Sequence, residues 1–574
     1  MNNNRGNWSS KLGFILAATG SAIGLGNIWR FPYITGSNGG AAFVLIYLFF
    51  VILVGLPILF LEISIGRHTN LNAVGAFGKY KNGKKWKWIG YLGVLSGFVV
   101  LSYYSVIAGW TMHYIVKSAT NLVSDENHNY IYAKIIDENG NIVVPSSKDF
   151  WKTNADNLSN TDDYKYYLDK NNHWIKISRK FAEYEFIANV SNVGNGKLFL
   201  YLSTANEVSV YLNGEKINYS YVKNKWYDLN KIELNNLNND NNEIKIKVKR
   251  TAFSNIDAKT GFVDFISNPY LLIFWHLMFL LLTAYIVAKG VADGIERFSK
   301  VLMPILFLLL IGLIIRALTL PGAFKGVNFY LKPDFSSVTY KTFFTAMGQA
   351  FFSLSLGFGA MITYGSYTKK DDNIISSGAY IAGFDTLVAF LAGLVIFPAL
   401  FAFNMNPEAG PSLVFVVMPV VFSKTVFGSI VAFIFFLLLF IAAITSSISL
   451  LEIIIAYVVD EKKWDRFKGT FFIVILVFIF GIPSALSFNV LSKPVIGNMT
   501  FFDFLDKVFF NLALPINALG ITIFCGYIWG INNVIKELTL GGYKFYVKNI
   551  FVVLVKYIIP LLILTILVMN LLSL

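Results

Sequence analysis

The groups in this chain best placed to do chemistry are bare peptide units rather than side chains. Gly20-Ser21-Ala22-Ile23-Gly24-Leu25-Gly26-Asn27 lies inside an apolar stretch, residues 12–34, long enough to cross a bilayer. Its three glycines weaken a continuous helix by roughly 1 kcal/mol each relative to Ala. Unwound backbone at membrane depth is tolerated only where it is buried in protein or lines a cavity. A helix broken there presents free N–H groups, which favour an anion, and free carbonyls, which favour a cation. That chemistry suits a zwitterion held beside Na+. The plainer use of such glycines is close packing against another helix, and one break does not decide between the two. A second interruption, Ser353-Leu354-Ser355-Leu356-Gly357-Phe358-Gly359-Ala360, falls in the apolar stretch 343–364. Two Gly-interrupted spans in corresponding halves of a membrane protein point to a transporter site at an inverted-repeat interface.

The elements that must position these groups are membrane helices. The chain has 574 residues, of which 55% are hydrophobic and only 14% charged. This composition is that of a polytopic membrane protein. The first apolar run has no small-residue cleavage site, so no cleavable leader is expected. The single cysteine, Cys525, excludes an internal disulfide, and the five histidines show no ligand spacing. No constellation supports an enzyme. The net charge of +14 is not a nucleic-acid signature. Residues 124–267 hold 18 basic and 19 acidic residues, so the excess lies in the apolar part, with 30 basic against 15 acidic. That is a positive-inside pattern, and no nucleic-acid partner is expected.

Eleven spans are expected, at about residues 12–34, 41–65, 89–115, 270–288, 301–318, 343–367, 378–401, 425–458, 471–486, 501–527 and 552–572. Lys79, Lys81, Lys84, Lys85 and Lys87 make the loop after the second span cytoplasmic. The N-terminus is then cytoplasmic and, with an odd count, the C-terminus extracellular. Three regions result: 1–120 with helices 1–3, 121–267 as an extracellular β-rich insertion, and 268–574 with helices 4–11. Period-two runs at 199–202, 208–212 and 244–248, with Asn213-Gly214 between two of them, indicate a small antiparallel sandwich. The pattern around Val208, Trp226 and Asn242 looks like a galactose-binding jelly roll. A spacer or lid is preferred to a ligand-binding module, whose ligand is unknown.

The run from Gly20 to Pro32, closed by Asn27-Ile28-Trp29-Arg30-Phe31-Pro32, resembles the first helix of the neurotransmitter:sodium symporter family. Gly348-Gln349-Ala350-Phe351-Phe352-Ser353-Leu354-Ser355 and Thr445-Ser446-Ser447 resemble its sixth and eighth helices. The resemblance covers all eleven spans but not residues 124–267. Within the family the chain looks most like the bacterial eleven-span hydrophobic amino-acid and tyrosine transporters. It implies an all-α polytopic protein with an inverted-repeat (5+5) sodium-symporter fold, the insertion set between helices 3 and 4. It also implies a multi-pass bacterial inner-membrane location, in contact with membrane lipid.

The resemblance assigns roles by position. An outer Na+ site uses the Ala22 carbonyl, Asn27, Ser353 and Asp385. An inner Na+ site uses carbonyls of Gly20, Ile23 and Ala442 with the hydroxyls of Thr445 and Ser446. Two sodium ions are therefore expected, held by oxygen ligands that suit a hard cation. The substrate carboxylate meets the amides of Leu25 and Gly26 and the Tyr104 hydroxyl. Its amine meets carbonyls of Ala22, Phe352 and Ser353. Val100, Tyr104, Phe352, Ser355, Phe358, Ser446 and Leu450 line the side-chain pocket. Gly24 stands where a monoamine carrier needs a carboxylate, which favours an amino acid, hydrophobic or aromatic by the pocket's character. Asp385 supplies a fixed charge and Ala389 lacks a hydroxyl, while Tyr47, Gln349 and Ser353 keep the other chloride-site positions; chloride independence is expected. Arg30 and Asp506 form an outer gate above Phe352 and Tyr104. Arg5 and Asp460 form an inner gate, with Trp8 and Tyr367 nearby. The implied function is sodium-coupled amino-acid import by alternating access. The alternative is a sodium-dependent amino-acid sensor whose insertion binds a ligand.

Overall fold

The computed structural model describes residues 6–80, 83–119, 130–139, 142–144, 152–153, 174–176, 183–191, 197–203, 207–218, 230–235, 237, 241–249, 255–403, 405, 412–423, 427–494 and 499–572. The chain divides into a helical unit and a second unit made largely of Thr120–Asp257.

In the helical unit, nine helices among the described residues are long and apolar enough to cross a membrane. They are Ala41–Thr69, Gly83–Ala119, Pro269–Ala288, Val291–Leu318, Ile374–Ala402, Gly428–Lys462, Arg466–Leu486, Phe501–Ile528 and Lys548–Leu571. The pair Lys11–Ala22 and Gly26–Ser37, bent 55° from one another, is together also long and apolar enough to cross. The second interrupted stretch forms Tyr340–Ser353 and Ala360–Gly365, of 14 and 6 residues. Each piece alone is too short to cross, and helical hydrogen bonding stops between them.

The local sequence explains both interruptions. At the first, Ile23 leaves the helix with an extended backbone, while its N–H still donates to Thr19 O at 2.8 Å. Asn27 then closes the loop on itself. Its Oδ1 accepts the Gly24 N–H at 3.0 Å, and its own N–H donates to Gly24 O at 3.1 Å. A side-chain amide thus replaces a missing helical partner, a familiar use of Asn. A π-helical turn, Gly26–Arg30, restarts the span, and Pro32 sits at the start of the next helical segment, where its absent N–H costs nothing. At the second interruption Ser355, Gly357 and Gly359 all take positive φ, at 51°, 86° and 77°. Gly357 is required twice over, because a Cβ there would lie 2.6 Å from the Leu514 carbonyl. Its freed N–H donates to Glu62 Oε1 at 2.8 Å, and its carbonyl accepts from the Asn517 amide.

The lone cysteine, Cys525, is fully buried in a π-helical turn, Phe524–Ile528. Further π-helical turns occur at Val51–Gly55 and Val291–Glu296.

Among the described residues the second unit has ten strands: β1 (Tyr130–Asp137), β2 (Ile142–Val144), β3 (Lys152–Thr153), β4 (Trp174–Lys176), β5 (Glu183–Ser191), β6 (Leu198–Ser203), β7 (Glu207–Leu212), β8 (Glu215–Lys216), β9 (Asn230–Leu234) and β10 (Asn241–Lys249). They form two five-stranded sheets. One runs β2-β1-β6-β9, with β4 also paired to β1; the other runs β3-β5-β10-β7-β8. All described pairings are antiparallel. Alternate residues, among them Leu198, Leu200, Leu202, Val210, Leu212, Ile244 and Ile246, make one buried core. Asn213 and Gly214, at φ 50° and 86°, turn the chain between β7 and β8. Trp226 lies outside the described residues.

Candidate functional site

The structure brings the two interruptions together. Asp385, buried in the middle of Ile374–Ala402, sits between them. The Asn27 amide donates to Asp385 Oδ1 at 2.8 Å and to Ser353 Oγ at 2.9 Å. The Ser353 hydroxyl donates to Asp385 Oδ2 at 2.6 Å. Three side chains from three helices therefore form one closed polar set with no exposed member. Both carboxylate oxygens are hydrogen-bonded, which is what a buried carboxylate needs. Ala22, the fourth residue assigned here, is buried immediately before the break. The carboxylate and hydroxyl oxygens suit a hard cation, while the Asn27 amide turns its N–H groups to them and its Oδ1 to the Gly24 N–H.

A second polar set lies on the other side of the first break. Ser446 Oγ lies 2.8 Å from Ile23 O and 3.2 Å from Ala442 O. Thr445 Oγ1 lies 3.0 Å from Ile441 O and 3.1 Å from Ala442 O. Gly20 faces Thr445 closely, since a Cβ on Gly20 would come 3.1 Å from Thr445 Cβ. The five residues expected for the inner ion thus converge.

Between the two sets lies the region assigned to the substrate. The Leu25 N–H donates to the Tyr104 hydroxyl at 3.3 Å. A Cβ on Gly24 would meet Ser446 Oγ at 2.9 Å and the Tyr104 hydroxyl at 3.3 Å, so no side chain fits at that position. Val100, Phe358 and Leu450 are buried apolar residues. Ser355, expected in the pocket wall, donates to Ser21 O at 3.0 Å and so ties one interruption to the other.

At the Arg30 end, Phe352 covers the site. Its ring occupies the space beside Gly26, where an added Cβ would lie 1.7 Å from Phe352 Cε1. The Phe510 ring packs on it at 4.3 Å, and the Arg30 guanidinium lies over both rings, at 4.5 and 5.2 Å. Arg30 makes no ion pair with Asp506 within 4.0 Å. Asp506 instead accepts the Tyr103 hydroxyl at 3.1 Å. The expected gate pair is thus a cation stacked on two rings, with the carboxylate set aside on Tyr103.

At the opposite end Trp8 is buried. Its indole N–H donates to Tyr364 O at 2.9 Å, and its ring packs edge-on against Tyr364 and Tyr367 at 5.2 and 6.0 Å. Arg5 lies outside the described residues. Asp460 accepts the backbone and side-chain N–H groups of Asn72, at 3.2 and 3.1 Å.

Several site residues carried no motif in the sequence. Glu62 and Asn517 hold the peptide units of Gly357, as described. Glu452 accepts the Tyr367 hydroxyl at 2.7 Å and is clamped by both terminal nitrogens of Arg466. Glu296 accepts from Ser9 N at 2.7 Å and pairs with Lys300 at 2.7 Å, fixing the segment that carries Trp8. Of the positions named from the sequence, Tyr47 lies beside Asp385, Ser353 and Thr386, and the buried Gln349 amide has no partner among the described residues. A carboxylate inside an apolar span is costly and usually functional. That rule alone would have picked out Glu62 and Glu452.

The chain is similar to known proteins along nearly its whole length. The family model described as the sodium:neurotransmitter symporter family matches residues 5–212 and 215–574. A sodium-dependent transporter of Haemophilus influenzae is 34% identical over 578 residues, covering 99% of both chains. The sodium-dependent transporter YhdH of Bacillus subtilis is 35% identical over 560 residues, covering 96% of this chain and 95% of its own. Among solved structures, MhsT in complex with L-phenylalanine superposes with a TM-score of 0.71 at 34% identity, covering 99% of this chain and all of MhsT. These relatives are transporters and not enzymes. With two broken helices facing each other across a buried carboxylate, and with a match along nearly its whole length, this chain belongs to the sodium:neurotransmitter symporter family.

Proposed function

We propose that the chain imports a hydrophobic or aromatic amino acid together with two sodium ions, by alternating access and without chloride. The observation that carries this reading is the joining of both interruptions through Asn27, Ser353 and Asp385. It supports a site whose ion and substrate share one frame, so that filling one half orders the other. Asp385, Ser353, Asn27 and the Ala22 carbonyl would hold the outer sodium. Thr445, Ser446 and the carbonyls of Gly20, Ile23 and Ala442 would hold the inner one. The Leu25 and Gly26 amides and the Tyr104 hydroxyl would receive the substrate carboxylate, and carbonyls of Ala22, Phe352 and Ser353 its amine. Val100, Phe358 and Leu450 would contact its side chain. That MhsT is seen with L-phenylalanine supports this substrate class. Asp385 would serve as the fixed counter-charge that chloride provides in chloride-dependent relatives. Phe352 and Arg30 would close the outer path, and Trp8 with Tyr367 the inner. A ligand shifts such an equilibrium only through its differential affinity for the two states. Sodium bound across both breaks is favoured where those breaks are held together.

The reading adopts eleven crossings, counting the Tyr340–Ser353 and Ala360–Gly365 pair as one, with a cytoplasmic N-terminus and the β-stranded unit outside. The compact core of that unit is the observation behind the rival reading, a sensor with a ligand-binding module. Proteoliposomes with an inward sodium gradient should concentrate radiolabelled phenylalanine or leucine. Replacing sodium with potassium should abolish uptake, and replacing chloride with gluconate should leave it unchanged. Sodium-dependent binding with no accumulation would favour the sensor. Accumulation that needs chloride would overturn the assigned role of Asp385.

A further inference from the structure

At one corner of the helical unit three helices present more lysines than carboxylates. Lys84 and Lys85 are exposed on the 3-10 turn Gly83–Trp86 that opens the third span. Lys462, Lys463 and Lys468 are exposed around the turn joining Gly428–Lys462 to Arg466–Leu486. Among the described residues none of these five side chains makes an ion pair or a hydrogen bond. The three acidic residues beside them are already engaged, Asp460 by both N–H groups of Asn72. Asp465 accepts the Lys468 backbone N–H at 2.9 Å as the helix cap, and Glu461 accepts from Asn72 at 3.3 Å. Arg466, which could have joined the cluster, is turned inward to Glu452.

The lysines are interleaved with exposed rings. Trp88 and Trp464 are each 44% exposed and Phe467 60%. Trp464 packs on Phe472 at 5.3 Å, and Tyr91 on Tyr457 at 5.9 Å. The helices adjoin, as the Phe98–Phe480 contact at 5.6 Å shows. Beyond the rings both helices continue with exposed aliphatic residues, Leu95 on one and Ile475 and Ile479 on the other. Cations, then aromatic rings, then bare aliphatic surface is the order of groups met on descending from a lipid headgroup to its chains.

We propose that this corner binds an anionic membrane phospholipid, its phosphodiester among the five lysines and its acyl chains along the exposed faces of the two helices. The proposal rests on the membrane-spanning reading given above, but its test reads lipid retention and not transport, so either can fail alone. A free soluble polyanion is the competing occupant. It is disfavoured because the exposed rings and aliphatic surface would then have no role.

The test uses the full chain purified in detergent, supplied with equal phosphatidylglycerol and phosphatidylcholine, with retained lipid counted by intact-protein mass spectrometry. Each lysine near an anionic headgroup is worth about a five-fold preference. The parent should therefore retain phosphatidylglycerol selectively. The variant with Lys84, Lys85, Lys462, Lys463 and Lys468 all changed to Gln should lose at least about ten-fold of that preference. The same five positions changed to Arg should keep it, which separates charge from misfolding. Equal retention of both lipids by the parent, or an unchanged preference in the Gln variant, would overturn the proposal. So would displacement of the lipid by glycerol phosphate at matching concentration, which would mark a site for soluble anions.

Discussion

Asp385 is the residue on which most of the proposed chemistry turns. Its two oxygens are taken by Asn27 and Ser353, so its removal would leave the Ser353 hydroxyl proton without this acceptor and the Asn27 amide with Ser353 Oγ and a backbone carbonyl. Asp385→Asn should raise the sodium concentration for half-maximal uptake by about ten-fold, equivalent to about 1.4 kcal/mol. Added chloride should recover part of the loss if Asp385 serves as the counter-charge. Flux assays at stepped sodium, with and without chloride, decide this. Gly26 gives a second prediction, because the Phe352 ring fills the space a methyl would need. Gly26→Ala should cut uptake by about ten-fold or more, as small misplacements near a closing site do. Adding Phe352→Leu should restore part of it; a Gly26→Ala protein with normal uptake would show that the ring does not seat there during transport. Asn27 was legible in the sequence because it stands within a motif, and Asp385 because a carboxylate inside an apolar span stands out. Glu62 and Glu452 are legible only as carboxylates inside apolar spans; what they hold, and the roles of Glu296 and Asn517, depend on partners such as the Gly357 amide, 295 residues from Glu62.

At the scale of elements, the two interruptions were legible from their glycines, whereas what holds them open was not. A glycine announces that a backbone is free to turn, but only the fold shows that Glu62 and Asn517 take up the freed peptide groups of Gly357. Gly357→Ala should therefore be costly. A positive φ costs a non-Gly residue about 1–2 kcal/mol, and the Leu514 carbonyl stands in the way. The expected result is a lower thermal midpoint together with loss of sodium-dependent binding. The pair Glu452–Arg466 makes a sharper case. Arg466→Ala leaves a buried carboxylate bonded, among the described residues, only to Tyr367, and stranding a buried charge of this kind costs about 3–5 kcal/mol. It should lower the thermal midpoint, while Glu452→Gln with Arg466→Ala should recover much of the loss, since no charge is then stranded. The π-helical turns had no sequence signal, because they differ from an ordinary helix only in which carbonyl each N–H reaches.

For the whole molecule, the division into a helical and a β-stranded unit was visible as a change of composition and hydrophobic period. The strands around residues 199–202, 208–212 and 244–248, and the turn at Asn213-Gly214, followed from alternation and from the left-handed backbone that Asn and Gly tolerate. Strand order did not follow, since neighbours such as β1 and β6 are distant in sequence. Because the β-stranded unit has a core of its own, the helical unit should not need it to fold. Replacing residues 120–257 by a short Gly/Ser linker should leave sodium-driven uptake within about two-fold of the parent. A folded deletion protein that binds sodium and substrate but no longer transports would instead give the unit a part in the cycle. One last feature bears on how such motions can be watched. The only sulfhydryl in the chain is sealed inside the Phe524–Ile528 turn. Thiol-reactive dyes or spin labels should therefore pass the native protein by and report solely from positions where an experimenter introduces a new attachment point.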